Sequence, residues 1–385
     1  MFKDKPHNEK TDKTKHHLRH LWAGLYAVFV VAIVCCFIWQ KHLWNSTSID
    51  KQLAVIEAAR AIPDDENAAV YYTRFLTDPN NGSILDDLAG YSPSAYCEPW
   101  AGSEHPELAA KLKTHSAFIQ TLLNISDMPR ARFSIYPNPG SDSWQMLADM
   151  RKVTFILSWA AANDLAEGRI ETAFSKYKCQ LKLACHLQQQ PATYYRLVGI
   201  AIEAAAFGNI KRSVIQDDIT PEQLRSLETI LETSRNPDEV DAEIAARVNR
   251  LIRDKELSQM SIPERLRQWW FGRKELREQE QRQHLIHLRL EASRRVIRIF
   301  VALRRYKEKT GVWPETLEQI EPKLPEQMLT DPQNNGPFIY ERTGENFVFY
   351  SKGPNNIDEG GSRSGSADDW LIWPLKIKII PAGEK

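Results

Sequence analysis

His284, His287 and Glu291 stand three and four residues apart, a spacing that places side chains on one face of a helix. Imidazoles and a carboxylate so arranged could form half of a metal site, although such a pattern is more often a solvated stripe beside an apolar seam. Of the other histidines, His7, His16, His17, His20 and His42 crowd towards the N-terminus, and His105, His115 and His186 are scattered. No HExxH, GxSxG, phosphate-cradling glycine loop or CxxC pair occurs. Zinc peptidase, serine hydrolase, nucleotide hydrolase and dithiol chemistries therefore lack the residue spacings that they require. The sequence assigns no catalytic residue, and the chain is read as a non-enzyme.

The cysteines offer a second chemistry. Cys35 and Cys36 lie in an apolar run and act there as small apolar groups. Cys179 and Cys185 are six residues apart on one expected helix, about 240° around its axis, so they cannot bridge each other. Cys97 paired with either one, and three free buried thiols, are both open readings. Residues 241–310 carry eighteen Lys and Arg against ten Asp and Glu. Within this basic stretch, SIPERLRQWWFGRKEL sets Trp269, Trp270 and Phe271 among arginines. Residues 262–276 read as a buried hinge, an element touching anionic lipid, or a docking surface. Across the whole chain, 50 basic side chains balance 50 acidic ones, so no bulk polarity points to nucleic acid. No small-molecule substrate is evident.

These residues must be positioned by about 385 residues of chain, enough for two cored domains. LWAGLYAVFVVAIVCCFIW, residues 21–39, carries no charge and at 1.5 Å per residue reaches about 30 Å, the depth of a hydrocarbon layer. It is expected to be a single transmembrane helix and uncleaved signal anchor, in contact with the lipid bilayer. Lys3, Lys5, Lys10, Lys13, Lys15 and Arg19 precede it, and only Lys41 closely follows. By the positive-inside rule, residues 1–20 would be a cytoplasmic tail and the bulk extracytoplasmic, on a cytoplasmic (inner) membrane.

Residues 45–285 are expected to form a helical domain. QLAVIEAARAI and AAVYYTRFL are short helices, 78–104 reads as loop, and HPELAAKLKTHSAFIQTLLNI is helical. Three regular helices follow, separated by Gly168 and Pro191. Gly168, Ala173 and Tyr177 match one tetratricopeptide-like hairpin, so the domain is read as a helical bundle or an irregular array of such hairpins. PEQLRSLETILETS and a segment from about Asp238 to Ser258 continue it. From Leu285, the residues Leu288, Ala292, Ile299, Leu303 and Tyr306 fall at helical spacing, and Gly311 ends the helix.

The chain then changes period. PFIYER and NFVFYSK alternate large apolar and polar side chains, as half-buried strands do. Thr343-Gly344-Glu345-Asn346 is a tight hairpin connection, and WLIWPLKIKII can add a third strand with Pro374 at an edge or bend. Four groups of residues recur in order: Tyr306, Gly311, Trp313 and Pro314; Asp331, Pro332, Pro337 and Tyr340; Phe347, Tyr350, Ser351 and Gly353; and Gly360, Gly361, Asp368 and Asp369. With these, residues 286–380 resemble the C-terminal domain of the type II secretion major pseudopilin. The chain as a whole is similar to bacterial membrane-anchored proteins that join a helical domain to such a module. The family's Gly-Phe-x-x-x-Glu start is missing from residues 21–39, so the resemblance implies the fold of the module and not a pilus subunit.

The resemblance also implies a calcium loop. Carried over, its ligands would be Asn355, Asp358, Asp368 and Asp369, with backbone carbonyls completing six to eight oxygens. Asn355 stands where the family usually has an aspartate. The expected whole is mostly α, with one N-terminal membrane helix and a small C-terminal α+β module. Its expected role is a non-catalytic scaffold or interaction protein at the cell envelope, bound to other envelope proteins and linked to secretion machinery. A signal-anchored glycosyltransferase shares the tail, anchor and outer-domain plan. Asn45, Asn81 and Asn124 begin acceptor sequons, but no Asp-x-Asp is placed to hold a nucleotide sugar.

Overall fold

The computed structural model describes residues 48–89, 98–136, 143–216, 219–233, 240–320, 324–362 and 367–374. Helix α1 covers residues 48–60. It is followed by α2 (Ala68–Leu76), α3 (Pro79–Ala89), α4 (Pro106–Thr114) and α5 (Ser116–Ser126). Long helices α6 (Ser143–Ala166), α7 (Ile170–Gln188) and α8 (Thr193–Gln216) come next, then α9 (Pro221–Thr233) and α10 (Ala242–Gln259). Helix α11 (Ile262–Thr310) leads to a short α12 (Glu326–Leu329) and strands β1 (Ile339–Thr343), β2 (Asn346–Ser351) and β3 (Trp370–Trp373). The described chain is thus mostly helical with a small antiparallel sheet, ordered β1-β2-β3.

Helices α6, α7 and α8 form the spine. Gly168 at φ +74° lets the chain reverse between α6 and α7, and Ala173 and Tyr177 of that hairpin are buried. Gly199 brings α8 against α7: a Cβ there would meet the Ala184 carbonyl oxygen at 2.7 Å. Several polar groups inside the spine are paired. Asp164 holds both Lys176 and Arg169, and Ser158 receives N–H groups from Gln180 at 2.9 Å and Asn209 at 2.8 Å. Asn67 caps α2 through the Ala69 N–H and grips the Arg132 N–H at 2.8 Å, fixing the irregular 130–136 segment to the bundle.

Residues 79–89, expected as loop, are helical. The Asp78 side chain accepts the Asn80 N–H at 2.8 Å, Pro79 suits a first helical turn, and Leu85 and Leu88 are buried. Two apolar anchors thus outweigh the Asn-Asn-Gly signal.

Helix α11 has 49 residues and a length of about 70 Å. Ser261 and Glu264 form its capping box, and Gly311 at φ +82° ends it. It runs through position 285 without a break. Its apolar face becomes buried from Leu290 to Leu303, whereas Leu285 is 37% exposed. Phe300 stands edge-on to Phe347 and Phe349 of β2. Ala161, Phe174, Phe207 and Val214 of the spine share one core with Phe300, Phe349 and Trp373, so bundle and sheet are packed together.

The hairpin β1–β2 pairs Thr343 with Asn346, which leaves Gly344 and Glu345 as a two-residue turn. Gly344 has φ +62°, as primed hairpin turns require. Strand β3 adds antiparallel to β2, with a register irregularity at Phe349/Tyr350.

The membrane expectations need correction. The span at 21–39 and the tail at 1–20 lie outside the described residues, and among the described residues no helix is long and apolar enough to cross a membrane. The long helices carry buried ion pairs and charged faces instead: Asp164 and Lys176 are buried on α6 and α7, and α11 carries Arg294, Arg295, Arg298, Arg304 and Arg305. The assignment to the cytoplasmic membrane as a single-pass protein is overturned on this ground.

Candidate metal centre

After β2 the chain turns on Gly353 (φ +62°), Asn356 (φ +57°), Gly360 (φ +65°) and Gly361 (φ +73°) before returning as β3. Left-handed conformations at these positions curl residues 352–362 back over the start of β3. Asp331 supports the turn from beneath. It is fully buried; it accepts the Gln333 N–H at 2.9 Å and the Ser351 hydroxyl. Ser351 in turn accepts the Gly353 N–H at 3.0 Å. Asn334 donates to the Gly353 carbonyl at 2.8 Å.

Asp369, also fully buried, is the hub. Its Oδ2 accepts the N–H groups of Glu359 at 2.9 Å and Gly361 at 2.8 Å. Glu359 reciprocates through Oε2, which accepts the Asp368 N–H at 2.8 Å. Carboxylate oxygens of Glu359, Asp368 and Asp369 lie within 4.8 Å of one another. Oδ1 of Asp368 and Oδ1 of Asp369 are both buried and, among the described residues, have no hydrogen-bond partner. No lysine or arginine pairs with any of the three among the described residues. Carboxylates so close repel by about 3 kcal/mol per pair at an effective dielectric near 20. Buried acceptors without donors add a cost of about 1–3 kcal/mol each. A hard divalent cation would remove both costs at once, and carboxylates are the ligands that suit it. Glu359, Asp368 and Asp369 could therefore hold one.

The expected ligands divide. Asp368 and Asp369 are in the cluster. Asn355 Oδ1 accepts the Ile357 N–H at 2.6 Å, and Asp358 Oδ1 accepts from the Tyr350 hydroxyl at 2.9 Å and the Gly360 N–H at 3.1 Å. These two carboxamide and carboxylate groups shape the loop. Burial, and then the hydrogen bond to Asp358, push the Tyr350 phenol far above its ordinary range, so it acts as a permanent donor. Glu359 was not singled out by the sequence, although it neighbours the nominated Asp358.

Elsewhere the expected chemistry disperses. His284, His287 and Glu291 form no acidic or imidazole cluster; Glu291 is engaged by Arg294 at 3.7 Å and Arg295 at 3.4 Å. Cys179 is a buried free thiol whose Sγ–H points to the Leu122 carbonyl at 3.6 Å, and burial pushes it up to about 12. Cys97 lies outside the described residues, and with it the pairing expected for Cys179 or Cys185. The segment 262–276 is helical backbone continuous with the rest of α11.

Comparison with protein-family models, with curated proteins and with solved structures finds no match to this chain.

Proposed function

We propose that this chain is a non-catalytic scaffold whose C-terminal unit is a pseudopilin-like interaction module locked by one divalent cation. The observation that carries the proposal is the pair of buried, unpartnered Oδ1 atoms of Asp368 and Asp369 beside Glu359. Calcium is the favoured ion, because an irregular loop offering carboxylates and backbone carbonyls suits its large, adaptable shell.

The pseudopilin-like reading is supported by what its matching residues do. Trp313 packs on Phe347 at 5.0 Å and donates to the Glu345 carbonyl at 3.1 Å. The Tyr340 hydroxyl donates to the Pro314 carbonyl at 2.7 Å. Each ties the helix-to-strand turn to the hairpin. With the cation bound, residues 352–362 would be a rigid rim beside β3 and available to a protein partner. The resemblance points to secretion machinery as the source of that partner.

The test is calorimetric titration of the chain with calcium, followed by crosslinking in cells and mass spectrometry. One saturable site, lost in Asp369→Asn, and a protein partner recovered less well by that variant are expected. Absence of saturable binding would remove the cation; recovery of no protein partner would remove the scaffold role.

A further inference from the structure

A cleft of about 760 Å³ opens where α7, α8 and α11 meet, far in sequence from the acidic loop. Among the described residues its wall carries Arg196, Arg294, Arg295 and Arg298 against two carboxylates, Glu203 and Glu291, together with His287. Most of this charge has an internal use. Glu203 takes the Arg294 guanidinium in a fork, at 2.7 Å and 2.9 Å. Arg295 donates to the carbonyls of Gln327 at 2.9 Å and Thr330 at 2.8 Å. Arg196 and His287 differ. Both are half-buried, and among the described residues neither side chain has a hydrogen-bond or ion-pair partner.

A guanidinium withdrawn from water without an acceptor is costly. Burial lowers Arg196 from its ordinary value. Burial also lowers His287, as do the charges of Arg196 from α8 and of Arg294 and His284 from α11. His287 thus faces three basic side chains at this spot. Leu181 and Phe207 supply an apolar wall to the same cleft.

The geometry points to a binding site for a small organic anion, whose carboxylate or phosphate meets Arg196 and His287 while its apolar body lies against Leu181 and Phe207. Arginine suits this task because its planar fork presents two parallel N–H groups to either kind of oxyanion. Glu203 and Gln188 act through Arg294, which donates to the oxygens of both and is held in place by them, at 3.1 Å in the case of Gln188.

The experiment is calorimetric titration of the full chain with phenyl phosphate, phenylacetate, inorganic phosphate and 2-phenylethanol. Saturable binding of phenyl phosphate or phenylacetate is expected, and the tighter of the two names the head group. Arg196→Gln should weaken it at least tenfold, Arg196→Lys less, and Arg267→Gln, at an exposed site outside the cleft, not at all. Because the Arg196 side chain makes no hydrogen bond or ion pair among the described residues, Arg196→Gln should keep the wild-type melting temperature; His287→Gln provides an independent second variant. No saturable binding of either aromatic anion overturns the proposal. So does binding undiminished in both variants, binding of inorganic phosphate as tight as that of phenyl phosphate, or equal binding of the neutral alcohol.

Discussion

The Gly361 N–H donates to Asp369 Oδ2 across 2.8 Å, joining the far end of the acidic loop to the residue just before β3. The same oxygen holds the Glu359 N–H, so one buried carboxylate decides whether the loop closes. With calcium bound, which removes the repulsion among the carboxylates, Asp369→Asn keeps the shape but weakens two charge-assisted bonds, which should cost about 2–3 kcal/mol. With calcium at a hundred times its dissociation constant, the wild-type chain should gain about 2.7 kcal/mol over its chelated form. Thermal melts with and without EDTA check both. A wild-type chain that melts at one temperature in either buffer would contradict the site.

Gly353 and Gly344 share φ +62° but differ in surroundings. A Cβ at Gly344 meets nothing within 4 Å, whereas one at Gly353 would overlap the carbonyl and Oδ1 of Asp368. Gly344→Ala should therefore cost only the backbone strain, about 1–2 kcal/mol. Gly353→Ala should cost about 3 kcal/mol or more and abolish the calcium response, because Asp368 must move. Urea unfolding of the two variants side by side measures the difference, and equal losses would show that Asp368 can yield.

Helix propensity favours alanine over glycine by about 1 kcal/mol, yet Gly199→Ala should destabilise the chain. The new methyl would lie 2.7 Å from the Ala184 carbonyl and 2.8 Å from Gln188 Cγ. Separating α7 from α8 should cost about 1–3 kcal/mol. An increase in the urea midpoint would mean that the two helices can part without loss.

His186 is 2% exposed; its ring meets the Tyr72 hydroxyl at 3.4 Å and the Met128 carbonyl at 2.9 Å. Burial lowers it to about 4 from 6.5. Its folded value lies below its unfolded one, so the unfolded chain takes up the proton first as pH falls. The stabilisation is full above about pH 6.5 and is lost as pH falls towards 4, a change of the order of 3 kcal/mol. His186→Gln should lower stability at neutral pH but flatten this acid limb. Urea midpoints between pH 4 and 7 measure it; an unchanged slope in the variant would assign the limb to other groups.

Phe300 on α11 meets Phe347, Phe349 and Trp373, inside a core that also contains Phe174 and Phe207. Phe300→Ala should cost about 3–5 kcal/mol. It should lower near-ultraviolet signals from the sheet and far-ultraviolet signals from the helices together. Two separated transitions would show that sheet and bundle melt independently.

The sequence by itself determined the elements whose signals are local. Alternating side chains in PFIYER and NFVFYSK gave the hairpin, Gly344 its turn, Gly311 the end of α11, and the periods of α6 to α8 their helices. Asp368 and Asp369 were legible as acids in a glycine-rich loop. The helix at 79–89 was hidden because its two buried leucines contact residues distant in sequence, while its Asn-Asn-Gly signal is local. Glu359 was missed beside Asp358 because the left-handed turns at Asn356, Gly360 and Gly361 decide which acid faces Asp369. The placement of Arg196 and His287 in one cleft was equally invisible, since two helices far apart in the chain supply them. Spacing along a chain reports which groups can share a face. Only folding decides which groups lose water together, and that loss turns an ordinary charge into a site.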